Sequence, residues 1–324
     1  MQSKKGVVMN KAIILLNMGG PNNLDEVKLF LKNMFNDKYI IDAPQPIRSM
    51  IAFMITSLRT KHAKANYELI GGKSPIIEYT KTIVKDLSQK VDADVFFAMR
   101  YTPPFIDEVL EKVQEYDEIC AIPMYPHYSS TTTQSSIEQM FKKAKKLNIE
   151  HKIGYIKHYY NDKNYNQAIV ERIKEALNGE DAGEFELVFS AHGLTKKIID
   201  KGDLYQKHIR YNLFFARKEL LLQGIKFHNT HLAYQSRVGP MEWIKPYLED
   251  KLKTIKRKKV IIYPLAFTVD NSETEFELEI EYREVASELG FEAYRVAKAP
   301  NNHLLFIESL KNLYESRSWI ENAR

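Results

Sequence analysis

Cysteine is nearly absent. Cys120 is the only one in 324 residues, which excludes disulfide scaffolds, CxxC redox chemistry and thiolate-based zinc or iron–sulfur sites. Any metal handled here must meet histidine, carboxylate or another non-thiolate ligand. Glycine is sparse too, at 13 residues, and no two glycines stand two apart, so the GxGxxG dinucleotide fingerprint cannot occur. Gly71-Gly72-Lys73-Ser74 ends like a phosphate loop, but Tyr67 stands where that motif needs its first glycine and Pro75 spoils the helix start, which excludes ATP. HExxH and GxSxG are missing. No apolar run reaches the roughly 18 residues of a membrane span, and the first apolar run is too short for a signal-peptide core, so a reducing cytoplasm is expected. Charge of one sign is also lacking. The balance of 47 Lys and Arg against 42 Asp and Glu gives +5, too small and too mixed to point to nucleic acid, though compatible with an anionic ligand or membrane surface.

What is present is globular: 44% hydrophobic and 27% charged residues. Short β-branched or aromatic runs predict strands near 12–18, 95–101, 118–125 and 152–157, then near 185–191, 231–235, 259–267 and 291–296. Helical stretches lie between them; Leu24, Val27, Phe30 and Leu31 form one apolar face. This alternation predicts an α/β protein of two Rossmann-like, doubly wound parallel-sheet domains, 1–155 and 156–324. One segment breaks it. The stretch 47–59 carries Ile47, Met50, Ile51, Phe53, Met54, Ile55 and Leu58, apolar around most of a helix. It reads either as a core helix or as a lip over an apolar ligand that also rests on a membrane.

In doubly wound sheets, ligands sit beyond the carboxyl ends of strands, so the residues there carry the functional reading. The first strand runs into Asn17-Met18-Gly19-Gly20-Pro21, a tight turn that aims Met18 at the crevice. The second ends in Arg100-Tyr101. The third ends in Tyr125-Pro126-His127-Tyr128-Ser129 and a run of hydroxyls that suits helix capping or anionic groups. The fifth delivers Ala191-His192-Gly193, an imidazole able to take a proton or ligate a divalent metal. After the seventh come Asp270, Glu273, Glu275, Glu277, Glu279, Glu281 and Glu284. Glutamates alternate with apolar residues here, as in a strand, but glutamate favours helix and so does the βα order, so an α-helix is expected with Glu273, Glu277, Glu281 and Glu284 on one face. Carboxylates at i, i+4 repel. The line reads either as a solvated face or as a path for a hard or borderline cation.

In chain order, these segments and Ile70-Gly71-Gly72-Lys73-Ser74-Pro75-Ile76, Lys201-Gly202-Asp203-Leu204-Tyr205, Gln235-Ser236-Arg237-Val238-Gly239-Pro240-Met241 and Phe267-Thr268-Val269-Asp270-Asn271-Ser272-Glu273-Thr274 resemble ferrochelatase, from about residue 11 to 310. The resemblance implies a porphyrin cleft between two chelatase-like domains, with His192 and Glu273 as catalytic pair and metal ligands on one face of the macrocycle and Asp270 beside them. It implies Glu277 and Glu281 as a metal or proton path. Porphyrin contacts are expected from Met18 on the opposite face, from Arg59, Ser74 and Arg237 toward the propionates, and from Arg100, Tyr101, Tyr125 and Ser129. Two positions depart from the family pattern: Asn271 replaces a histidine and Tyr234 replaces a tryptophan. The cysteine cluster that holds iron–sulfur in animal members is absent. Fe²⁺ and porphyrin are then substrates, with no tightly bound cofactor. Met18 and the lip favour protoporphyrin over coproporphyrin; a cobalt or nickel chelatase and a non-catalytic porphyrin carrier are the competing readings.

Overall fold

The structure is a computed structural model describing residues 9–321. Eight strands appear where the apolar runs lie: β1 (Lys11–Asn17), β2 (Asp94–Met99), β3 (Glu118–Pro123), β4 (Ile153–Tyr155), β5 (Glu186–His192), β6 (Asn229–Gln235), β7 (Lys259–Pro264) and β8 (Ala293–Val296). The first sheet has the order β2-β1-β3-β4 and the second β6-β5-β7-β8, so the second half repeats the topology of the first. All pairings within these two sets are parallel. A short ninth strand, β9 (Ile320–Glu321), pairs antiparallel with β4, carrying the chain end back to the first sheet. The strands read as near-continuous apolar runs because helices cover both faces. Ile13, Leu15, Phe189 and Ile261 are fully buried in one core that spans both halves.

In each half the strand order reverses between the first and third strands, which opens a crevice at their carboxyl ends. The loops leaving β3 and β7 meet there. Thr268 Oγ1 donates to the Met124 carbonyl at 2.8 Å, and Tyr67 OH reaches Ser272 Oγ at 3.2 Å. Both loops open into π-helices, Ser130–Gln134 and Glu273–Glu281, a rare geometry that concentrates at functional positions. The turn after β1 needs glycine: Gly19 has φ +85°, and a Cβ there would lie 2.3 Å from Thr102 Oγ1.

Two expectations change. The seventh strand stops at Pro264 rather than 267, because the chain turns there, with Phe267 N donating back to the Pro264 carbonyl at 3.1 Å. The apolar stretch 47–59 is not a core helix. It belongs to one 25-residue helix, Gln45–Leu69, whose inner face buries only Ala52, Thr56 and Tyr67. Ile47, Met50, Phe53, Met54 and Leu58 stay exposed, Leu58 at 82%. Among the described residues, no helix is long and apolar enough to cross a membrane.

Histidines cluster where the halves join. His127 Nε2 lies 2.9 Å from Asn212 Oδ1, Tyr128 N donates to His208 Nδ1 at 3.1 Å, and the His158 and His208 rings sit 4.9 Å apart. Burial pulls His127 down to about 3 and His208 down to about 4, so the native state refuses protons that the unfolded chain accepts below its ordinary value near 6.5. Stability is therefore intact above about 6.5 and lost as pH falls toward 4. Urea unfolding between pH 7 and 4 is expected to show this acid loss, and His127→Gln to flatten its slope by up to about 1.4 kcal/mol per pH unit. An unchanged slope would remove His127 from the linkage.

Candidate active site

β5 ends on His192 at its switch point, and the following Gly193 is forced by space, since a Cβ would meet the Gln235 carbonyl at 2.8 Å. Tyr205 OH donates to the His192 carbonyl at 2.8 Å and fixes the strand end. The π-helix after β7 then brings Glu273 Oε1 to 2.9 Å from His192 Nδ1. The approach lies off the line of a directed hydrogen bond, so its strength as an ion pair appears when the ring is protonated. The Phe267 ring stands edge-on to the imidazole at 6.4 Å. Nδ1 thus faces the carboxylate, and Nε2 remains for a ligand on a side chain 34% exposed.

Glu277 is held still. Its carboxylate accepts from Ser236 N at 2.6 Å, Ser236 Oγ at 2.5 Å and Gln235 Nε2 at 3.1 Å, while Gln235 Oε1 accepts from Ser190 Oγ at 2.7 Å. Ser236 adopts φ +66° to supply both donors, a left-handed conformation that non-glycine residues adopt only under constraint. Burial raises the Glu277 carboxyl above its usual range, with Glu273 adding to the rise and the Ser236 hydrogen bond opposing it. On His192, burial pulls the imidazole down, but the charges of Glu273 and then Glu277 outweigh it and the net direction is up.

The expected α-helix is instead a π-helix, Glu273–Glu281. Along it Glu273 approaches His192, Glu277 is held by Ser236 and Gln235, and Glu279 pairs with Arg283. Glu281 is exposed; burial and Glu284 raise its carboxyl, and His62 opposes them. Asp270 is held on both oxygens. Its Oδ1 accepts from Ala299 N at 3.1 Å and its Oδ2 from Asn301 Nδ2 at 2.6 Å. It ties the loop after β7 to the loop after β8, and its charge acts on Glu275 and Tyr79. Asn271 caps the π-helix through Oδ1 to Glu273 N at 2.8 Å.

The expected porphyrin contacts separate into a surface set and a buried set. Met18 is half-buried at the end of β1, Arg59 is exposed on the long helix, and the Arg237 guanidinium lies over the Tyr247 ring at 4.6 Å. Ser74, Tyr101, Tyr125 and Ser129 are buried. Ser74 backs the turn at Gly20, where a Cβ would come within 2.5 Å of it. Ser129 and Ser130 donate to Asp203 Oδ2 at 3.1 and 2.7 Å, tying the first half to the second. Arg100 and Tyr101 converge on Asp37, each at 2.9 Å to Oδ2, where Ser135 Oγ joins them. Asp37, Gln235, Ser236 and Tyr205 are thus supporting residues that the strand-end reading did not assign roles. Asp37 lies in a loop with no motif around it, whereas Gln235 ends β6 and Ser236 follows it, a strand end to which no ligand role is assigned above. A concavity of about 500 Å³, lined by Asn33, Asp37, Arg100, Asp107 and Glu108, adjoins this buried ion pair rather than His192. The His192 imidazole stands beside two carboxylates, of which Glu277 is held by three donors, an arrangement able to stabilise a proton on the ring.

A family model described as Ferrochelatase matches residues 10–318. The chain is 52% identical to a ferrochelatase of Sulfurimonas denitrificans, over 94% of this chain and 98% of that one. It is 47% identical to one of Wolinella succinogenes, over 94% and 98%. Among solved structures, SirB from Bacillus subtilis with Fe³⁺ superposes with TM-score 0.57 at 12% identity, over 95% of each chain. CbiX, described as the terminal enzyme for biosynthesis of sirohaem in denitrifying bacteria, gives 0.52 at 11%, over 95% of this chain and 99% of that one. These two likenesses establish a shared two-domain chelatase fold.

In the free protein, an NMR titration of His192 is expected to give a midpoint above 6.5, and Glu277→Gln to lower it by removing a nearby negative charge. A midpoint below 6.5 would mean that burial, not the carboxylates, controls the ring.

Proposed function

The chain belongs to the ferrochelatase family, and from that premise we propose that it inserts Fe²⁺ into protoporphyrin IX, releasing two protons, as a step of haem biosynthesis. The single observation that carries the mechanism is His192 with Nδ1 facing Glu273 at 2.9 Å and Nε2 left for the ligand. Metal insertion must remove two pyrrole N–H protons and bend the macrocycle so that its nitrogens become accessible. Neutral His192 accepts a pyrrole proton at Nε2. The imidazolium formed then gains its ion pair with Glu273 and the longer-range attraction of Glu277, so stabilisation grows as the proton transfers rather than on binding. Glu277 cannot swing while Ser236 and Gln235 hold it, which preorganises that charge. Asp270 and Asn271 act as positioning residues, holding the loop and the first turn of the π-helix.

Both iron and porphyrin are substrates in this reading. The two donors His192 and Glu273 suit a cation in transit, because a closed four-ligand set is the form of a structural site. Glu281, exposed on the outer turn beyond Glu277, is the entry end of the path. The exposed face Ile47, Met50, Phe53, Met54 and Leu58 serves as a lip over the apolar macrocycle and rests on a membrane surface from the cytoplasmic side. Met18 faces the ring from the first half. Arg59 and Arg237 are the exposed cations for the propionates.

His192→Ala is expected to keep porphyrin affinity within about threefold and to lose at least about a thousandfold in anaerobic Fe²⁺ insertion. The second figure follows from combining a lost general base, worth 10² to 10⁴, with a lost metal donor. Glu273→Gln is expected to follow it, while Glu281→Gln raises the Fe²⁺ concentration needed for half-saturation and leaves the maximal rate within about twofold. The assay monitors the porphyrin Soret band; a His192→Ala protein with full turnover would sink the proposal.

A further inference from the structure

The helix Tyr205–Leu222 has an inner face, with Tyr205, His208, Ile209, Asn212, Ala216 and Leu220 buried, and an outer face that the reaction does not use. On the outer face Lys207, Tyr211, Phe214, Lys218 and Leu221 follow one another at spacings of four, three, four and three, so they form one stripe. Arg210 and Arg217 flank it, one helical step to the side. Leu222 closes it. The apolar members stand out into solvent: Tyr211 is 45% exposed, Phe214 60%, Leu221 66% and Leu222 69%. All four cations are exposed, and none joins an ion pair among the described residues. Lys207 lies 5.8 Å from the Tyr211 ring. The only acidic residue in the helix, Glu219, is half-buried.

We propose that this face docks on a lipid surface with anionic headgroups. Charge complementarity identifies the occupant. A second copy of the same face would set four cations against four cations, because a twofold contact presents one patch to itself. A helical partner would need a groove, whereas this face is a convex helical ridge with its apolar groups at the crest. An anionic bilayer meets both demands: headgroups neutralise the flanking Lys and Arg, and the crest of Tyr, Phe and Leu enters the headgroup boundary. The surface is independent of the catalytic groups. It lies next in sequence to a link with the long exposed helix, since Lys201 Nζ pairs with Asp42 Oδ2 at 2.6 Å, three residues before that helix begins. It is nevertheless a separate contact, and its test distinguishes the two.

The test is co-sedimentation of the full chain with phosphatidylcholine vesicles, with and without phosphatidylglycerol, at low and high salt. Two helix variants are compared, Phe214→Ser/Leu221→Ser/Leu222→Ser and Lys207→Gln/Arg210→Gln/Arg217→Gln/Lys218→Gln. A long-helix variant, Met50→Ser/Phe53→Ser/Leu58→Ser, serves as reference. Thermal unfolding and Fe²⁺ insertion in detergent identify any variant that fails to fold; single Phe214→Ser and Arg217→Gln changes then replace it. The expected result is binding that requires phosphatidylglycerol, weakens with salt and falls about tenfold in each helix variant, while the long-helix variant retains a phosphatidylglycerol-dependent component. Three results would overturn the proposal: equal binding to neutral vesicles, full binding by both helix variants, or a concentration-dependent dimer in sedimentation velocity that the helix variants abolish.

Discussion

An imidazole confined beside two carboxylates is the constraint on which the rest of this molecule depends. Burial alone would lower the His192 pKa, and two acids alone would repel each other in the same space. Together they compensate, but only while the geometry is fixed: Glu273 near enough for an ion pair with Nδ1, and Glu277 anchored by three donors so that its charge is felt without being free to move. The strained Ser236, the buried Ser190–Gln235 contact and the tight passage at Gly193 are explained as the supports of that arrangement. The reaction then draws on a field already in place, and little reorganisation is left for the moment of proton transfer.

The π-helix is the local structure that satisfies this constraint. Along it Glu273 reaches His192, Glu277 reaches Ser236 and Gln235, and Glu281 stands at the solvent end. The first half carries a π-turn at the equivalent place, but there serines and threonines replace glutamates and the turn is tied through Asp203 to the second half. The same topology therefore serves two ends. One copy holds the wall, with Asp37 as its buried anchor, and the other holds the chemistry.

Much of this was legible in the sequence for physical reasons. Parallel strands buried on both faces leave apolar runs too plain to miss, such as 12–16 and 260–263, and the switch-point rule turns strand ends into a short list of candidates that contained His192 and Glu273. The helix form of 273–281 was half legible. Glutamate's preference for helix was sound, but the choice between α and π turns rests on tertiary anchors at Ser236 and Asn271 that local propensity does not encode. Burial depth was the least legible feature. Ser74, Tyr101 and Ser129 stand in motifs that look like ligand contacts, and nothing in those motifs tells how deeply they are buried. Asp270, adjacent in sequence to the site, is spent on Ala299 and Asn301. The 47–59 stretch allowed both a core helix and an exposed lip, and only its position outside the sheets decided between them.

The account stands on neutral His192 being the proton acceptor. The most direct measurement is the single-turnover rate of Fe²⁺ insertion into enzyme-bound protoporphyrin, followed anaerobically at the Soret band from pH 5.5 to 9 with metal saturating. Because the carboxylates raise the imidazole above its ordinary value, the rate is predicted to climb tenfold per pH unit on the acid side and to level off only above a midpoint higher than 6.5. A rate independent of pH across that window, or one that rises as the solution becomes more acid, would contradict the account.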